Sequence, residues 1–216
     1  MAFDWNSITY AISMLGTVAF AVTAVLAIRS KSDIDIVGAI FLGLITATGG
    51  GTLRDLILDV PAFWSQDLTY IWVATLASIA ALYGRSFFYH RDLFALMMYL
   101  DGLGVALFSI QSAEKAWALG FGLPVAPIIL GVITSIGGGI IRDLLAGHTT
   151  LVMRHEIYAT PVILSCSAFV MVLNYYPSHR VFGSILCIFG AFALRAAAIY
   201  WNLSMPAFAI KAQDRN

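Results

Sequence analysis

Charge is what this sequence is shortest of. Only 11% of its residues are Asp, Glu, Lys or Arg, and 60% are hydrophobic; a soluble domain carries about 25% charge. With a mean hydropathy of +0.87, the composition excludes a water-soluble globular fold and points to an all-α integral membrane protein. The few charges balance at 12 basic and 12 acidic, so nothing in the net charge suggests nucleic acid or an acidic partner. The two cysteines, Cys166 and Cys187, both fall inside apolar stretches, which suits small packing residues and not a disulfide framework. No basic residue precedes the first apolar run, only Asp4. A signal peptide needs a basic start, so this run reads as a transmembrane helix even though Val25 and Ala27 resemble a cleavage site. There is no nucleophile elbow, Walker loop, dinucleotide fingerprint or HExxH sequence, and hence no positive sign of an enzyme or a cofactor site. His148 and His155 are seven apart with Glu156 beside them, a poor metal spacing that suits interfacial side chains better.

Long apolar runs are what the chain does have. A helix needs about 20 mostly apolar residues to cross the hydrocarbon layer, and seven segments qualify: Ser7 to Ile28, Ile34 to Ile57, Leu68 to Tyr83, Leu93 to Gln111, Leu123 to Leu145, Ile157 to Asn174 and Val181 to Trp201. Residues 1–216 read as one membrane domain. With the N-terminus outside, the cytoplasmic side receives Arg29, Lys31, Arg85, Arg91, Arg154, Lys211 and Arg215, and the outer side only Lys115 and Arg180. The excess of inside positive charge predicts N-terminus out and C-terminus cytoplasmic. Tyr70, Trp72, Tyr89, Tyr175, Tyr176 and Trp201 fall near span ends, at headgroup level.

The chain also repeats itself. Gly43 to Leu56 reads GLITATGGGTLRDL, and Gly131 to Leu144 reads GVITSIGGGIIRDL, identical at nine of fourteen positions. The offset of 88 from Gly49 to Gly137 also carries Gly16 to Gly104, Phe20 to Phe108 and Tyr70 to Tyr158. Residues 7–83 thus correspond to residues 93–174. Three spans per copy is an odd number, so the second copy must lie upside down, leaving span seven (181–201) and a polar tail (202–216) outside the repeat. Inverted repeats with interrupted helices in matching places point to a substrate or ion site near the midplane.

Three adjacent glycines cost a helix about 1 kcal/mol each. The triplets Gly49, Gly50, Gly51 and Gly137, Gly138, Gly139 are therefore expected to break the second and fifth spans. Broken helix in a membrane is tolerated only against protein or water. The freed carbonyls near Thr46, Thr48, Thr134 and Ser135, with those hydroxyls, would offer oxygen ligands to a cation. Close helix packing explains such pairs as Gly38 with Gly43 or Gly102 with Gly104; three in a row call for more. Each triplet leads into an Arg-Asp pair, Arg54-Asp55 and Arg142-Asp143. Neighbours on a helix do not face each other, so each arginine is expected to pair with a carboxylate or helix-end carbonyls elsewhere and leave Asp55 and Asp143 to face the pathway or hold the half-helix N-terminus, the alternative being an ion pair that only fixes helix registry. Asp101 and Arg195 are expected at comparable depth, as a structural pair.

The doubled GGG(T/I)(L/I)RD motif, the three-plus-three arrangement and the seventh span resemble the prokaryotic TRIC (trimeric intracellular cation) channel family, also labelled a tandem "glycine transporter" domain family. The resemblance runs from about Ser7 to Trp201. It implies a homotrimer in the inner membrane of a prokaryote, each protomer conducting monovalent cations, chiefly potassium, through its own pore, with kinks at the two glycine triplets. The Lys-Glu-Val lipid-binding motif of the animal members is absent; Leu53-Arg54-Asp55 stands there. The competing reading is a secondary transporter for a small zwitterion such as glycine, its carboxylate held by half-helix N-termini at Thr52 and Ile140.

Overall fold

The computed structural model describes residues 5–28, 35–84, 93–154 and 157–204. Of the positions singled out above, Asp4, Arg29, Lys31, Ile34, Arg85, Tyr89, Arg91, His155, Glu156, Lys211 and Arg215, with the tail from residue 205, lie outside the described residues.

Among the described residues eight helices follow one another: α1 (Trp5–Ala27), α2 (Ile36–Ile57), α3 (Phe63–Gln66), α4 (Thr69–Gly84), α5 (Leu93–Ala118), α6 (Val125–Leu145), α7 (Ala159–Tyr175) and α8 (Arg180–Tyr200). Single 3₁₀ turns cover Leu151–Met153 and Pro177–His179. Five of the described helices, α1, α2, α5, α6 and α8, are long and apolar enough to cross a membrane. The apolar helices α4 and α7 have 16 and 17 residues, about 24 and 26 Å at 1.5 Å per residue. α2 starts where Asp35 caps it, its carboxylate accepting the Gly38 N–H at 2.7 Å, an arrangement that satisfies one of the orphan donors of a first turn.

Two expectations need correcting. The helix of the fourth span does not stop at Gln111; α5 continues to Ala118 through Gln111, Glu114 and Lys115, polar side chains that face a cavity at the end of the bundle. The helices are also unbroken at the glycines: α2 runs through Gly49, Gly50 and Gly51, and α6 through Gly137, Gly138 and Gly139, as continuous α-helix. An unpaired backbone group in hydrocarbon costs several kcal/mol, more than the propensity deficit of a glycine. The glycines serve a close crossing instead. A Cβ on Gly50 would fall on the carbonyl oxygen of Thr134, and one on Gly138 would lie 2.5 Å from the carbonyl oxygen of Thr46.

That crossing also shows the inversion. Going from Thr46 to Gly50 on α2, the partner on α6 goes from Gly138 back to Thr134, so the two equivalent helices run antiparallel. α1 and α5 do the same: Gly16 lies under the Phe108 ring and Gly104 under the Phe20 ring. The two rings stack with centroids 5.4 Å apart and planes 7° apart. In the same core cluster Ala21, Ala74 and Ala113 are wholly buried, as are Ala24 and Ala116 elsewhere in the bundle, the small-residue packing that lets membrane helices approach. Cys166 and Cys187 are buried free thiols in this packing. Large apolar side chains such as Val37, Leu56 and Phe182 stand on the outside, where a lipid environment removes the penalty water would impose.

Candidate functional site

Each Arg-Asp motif ends its helix and builds a corner. Arg54 donates from Nε to Asp55 Oδ1 at 2.7 Å, and Arg142 donates from Nε to Asp143 Oδ1 at 2.8 Å. The expectation that the arginines would leave their neighbouring aspartates free is therefore wrong. The spacing rule concerns where Cβ atoms point; an arginine stem is long enough to fold back, and low dielectric makes the pairing strong. The other oxygen of each aspartate accepts a backbone N–H eight residues ahead: Phe63 to Asp55 Oδ2 at 2.8 Å, Leu151 to Asp143 Oδ2 at 3.0 Å. Asp55 and Asp143 thus clasp the returning loop to the helix end. The C-caps match as well, with Leu58 N–H on the Arg54 carbonyl and Ala146 N–H on that of Arg142.

Beyond the clasp the corners differ. Arg142 is fully buried and also donates to Asp101 Oδ1 at 2.7 Å and to Thr23 Oγ1 at 3.0 Å. Asp101 Oδ2 accepts from the Tyr158 hydroxyl at 2.8 Å, and the Arg195 guanidinium lies 4.8 Å from the centre of that ring while donating to the Ile157 carbonyl. So Asp101 takes its ion pair from Arg142, and Arg195 joins the cluster through Tyr158. At the other corner Arg54 reaches Ser112 Oγ and lies 5.7 Å from the Phe63 ring centre, and Asp55 takes a second ion pair from Lys115 at 2.8 Å. Gln111 donates to Ser13 there.

Two cavities of about 400 Å³ enter the bundle from opposite ends, one at each corner. The first, the Arg54 cavity, is lined by Thr9, Arg54, Phe63, Tyr70, Phe108, Gln111, Glu114, Lys115, Ala118 and Arg180. The second, the Asp143 cavity, is lined by Leu26, Ala27, Phe94, Met97, Asp143, His148, Leu151 and Arg154. Along α1, Thr9 and Leu26 stand about 26 Å apart at 1.5 Å per residue, and Phe20 lies between them. His148 meets the Ala27 carbonyl at 3.0 Å, a structural contact at the second mouth.

Of the sequence candidates, Arg54 and Asp143 reach a cavity wall, and Asp55 and Arg142 stand directly behind one. Thr46, Thr48, Thr134 and Ser135 line neither cavity. Thr46, Thr48 and Ser135 donate to carbonyls of their own helices at 2.6, 2.7 and 3.2 Å. Thr134 is buried, and its hydroxyl has no partner among the described residues. Lys115, Gln111, Tyr158 and the amides of Phe63 and Leu151 were not anticipated as parts of the site. The repeat held a clue to the last two, which are themselves 88 residues apart.

An all-helical membrane bundle whose equivalent helices run in opposite directions, with a polar corner and a cavity at each end, defines the class: an inverted-repeat membrane transport protein. The particular family follows from comparison. The glycine transporter family model matches residues 10–86 and 98–174, two segments displaced by the 88 residues that separate the triplets. A membrane protein of Vibrio cholerae is 37% identical over 95% of this chain and 84% of its own, and the inner membrane protein YadS of Escherichia coli is 35% identical over 96% of this chain and all of its own. Among solved structures, the TRIC trimeric intracellular cation channel orthologue from Rhodobacter sphaeroides superposes with a TM-score of 0.82 at 35% identity, over 91% of this chain and 100% of that one. A prokaryotic TRIC channel in 0.5 M KCl gives 0.84 at 26% identity, over 93% and 100%. A Caenorhabditis elegans TRIC channel with bound Ca²⁺ shares the fold alone, at 10% identity and a TM-score of 0.64 over 87% of this chain and 90% of that one. This chain belongs to the prokaryotic TRIC channel family, built from two glycine transporter repeats.

Proposed function

We propose that the protein is a passive channel for monovalent cations, chiefly potassium, working as a homotrimer with one pathway in each protomer. The observation that carries this reading is the pair of cavities, which enter from opposite ends and reach the two copies of one motif. Their likeness to the structures of trimeric cation channels supports it. The route runs from the Arg54 cavity past Phe108 and Phe20 to the Asp143 cavity, where apolar rings form a constriction of the kind that gates by dewetting. It does not depend on unwound glycines. In this reading α4 and α7 cross the membrane with the five longer helices, giving seven spans, and the protein sits in a prokaryotic inner membrane with its N-terminus outside and its C-terminus cytoplasmic. The glycine carrier loses its support, since Thr52 and Ile140 lie inside continuous helices and offer no free N–H groups to a carboxylate.

Purified protein in a planar bilayer should show unitary potassium currents. Saturable glycine uptake into vesicles without discrete openings would refute the channel.

A further inference from the structure

The two corners match in their clasps but differ at one decisive pair of positions. Asp101 lies 88 residues beyond Ser13. Both are buried, at 0% and 1% exposure. Where Asp101 takes the Arg142 guanidinium at 2.7 Å and the Tyr158 hydroxyl at 2.8 Å, Ser13 receives the Gln111 amide and donates to the Thr9 carbonyl. Arg142 therefore has two carboxylates and Arg54 has one, shared with Lys115. The consequence is visible in the cavity walls. Arg54 lines its cavity together with Glu114, Lys115 and Arg180, whereas at the opposite end the charged lining is Asp143 and Arg154, and Arg142 is not part of the wall.

We propose that Asp101 is a positioning residue that holds Arg142 away from the Asp143 cavity, so that of its Arg-Asp pair this end shows a cation the carboxylate, where the other end shows the guanidinium. The consequence for conduction rests on the channel reading above; the position of Arg142 does not. Without Asp101, Arg142 keeps Asp143 as its one carboxylate and the Thr23 hydroxyl beside it, as Arg54 keeps Asp55 and the Ser112 hydroxyl, and its free end turns to the cavity side. A unit charge moved to within about 10 Å of the route changes the local cation concentration about twofold in water. The effect is screened in concentrated salt.

The test swaps the two positions. In full-length protein purified in detergent, phenylglyoxal labelling read by peptide mass spectrometry should leave Arg142 unmodified in the wild type and modify it in Asp101→Ser. In planar bilayers at about 0.1 M KCl, where the Debye length is ~10 Å, Asp101→Ser should lower unitary conductance about twofold; at about 1 M, where it is ~3 Å, the difference should largely vanish. Ser13→Asp should draw Arg54 inward and raise conductance under the same dilute conditions. This variant keeps the proposal testable if Asp101→Ser fails to fold. Protection of Arg142 in folded Asp101→Ser overturns the proposal, as does a conductance that Ser13→Asp lowers or leaves unchanged. Labelling that follows the swap in a protein that passes no current upholds the positioning role and sinks the channel instead.

Discussion

Two adjacent glycines of one triplet should respond in opposite ways to the same added methyl. A Cβ on Gly138 would stand 2.5 Å from the Thr46 carbonyl oxygen, about 0.9 Å short of the 3.4 Å at which ordinary contact begins. The obstacle is backbone on a helix packed antiparallel, so no rotamer change relieves it and α2 must move off α6. Overpacking costs about 1–3 kcal/mol, and a rigid backbone obstacle belongs at the upper end, against a gain of about 1 kcal/mol from alanine as the better helix former. Gly138→Ala should therefore lose about 2 kcal/mol. On Gly137 the nearest atoms are Leu53 Cδ1 at 3.5 Å and Gly50 Cα at 3.7 Å, so the methyl fits and only the helix-forming gain of up to about 1 kcal/mol remains. At about 2–4 °C per kcal/mol for a chain of this length, melting of the two variants in detergent, followed by size-exclusion fluorescence, should separate by roughly 6–12 °C, with Gly137→Ala at or above the wild type. Equal melting temperatures, or a Gly137→Ala less stable than Gly138→Ala, would refute the packed crossing. Unwound triplets would instead make both positions sensitive, because alanine favours the helix that the break avoids.

The remaining predictions concern the corners and the rings. Asp143→Ala leaves Arg142 with Asp101 as its one carboxylate and orphans the Leu151 N–H; breaking a buried pair costs about 3–5 kcal/mol, so yield of folded protein should fall sharply, and a yield near wild type would contradict the clasp. Lys115→Ala removes a pair whose lysine is 33% exposed, and should cost less than about 1 kcal/mol, read as a melting shift of no more than about 4 °C; a larger loss would show that Asp55 depends on both cations. Phe108→Ala deletes one ring of a buried stack at about 3–5 kcal/mol, yet in the protein that does fold it should raise single-channel conductance, and unchanged or lower conductance would place the constriction elsewhere.

The period of 88 was legible because an internal repeat needs no knowledge of the fold: Gly16 with Gly104 and Phe20 with Phe108 are matched letters, and the structure turns them into two antiparallel notches around one ring stack. Apolar runs are read in the same direct way, and five of the seven appear as helices long and apolar enough to cross a membrane, the other two as the shorter α4 and α7. What failed was the step from glycine to broken helix. Propensity counts only the helix containing the residue, and the deciding energies lay outside it: the lipid's demand that every N–H be paired, and the carbonyl of another helix occupying the space a side chain would need. The pairing of Arg54 with Asp55 failed similarly, because Cβ directions say nothing about a side chain that folds back once a loop amide, eight residues on, has fixed its partner.

That contrast bears on how a duplicated sequence acquires function. The identical letters of the two copies, glycine triplet, arginine and aspartate, form the crossing and the clasps, parts that must be present at both ends for the bundle to close. The letters that differ stand immediately around them: Ser13 against Asp101, and Ala27 against Lys115. One substitution gives Arg142 a second carboxylate; the other gives Asp55 a second cation. Each acts on the charge that its own end shows to water and leaves the shared frame intact. If the clasps are scaffold, exchanging an unlike pair should alter conduction without unfolding the protein, whereas removing a like pair should unfold it before conduction can be read.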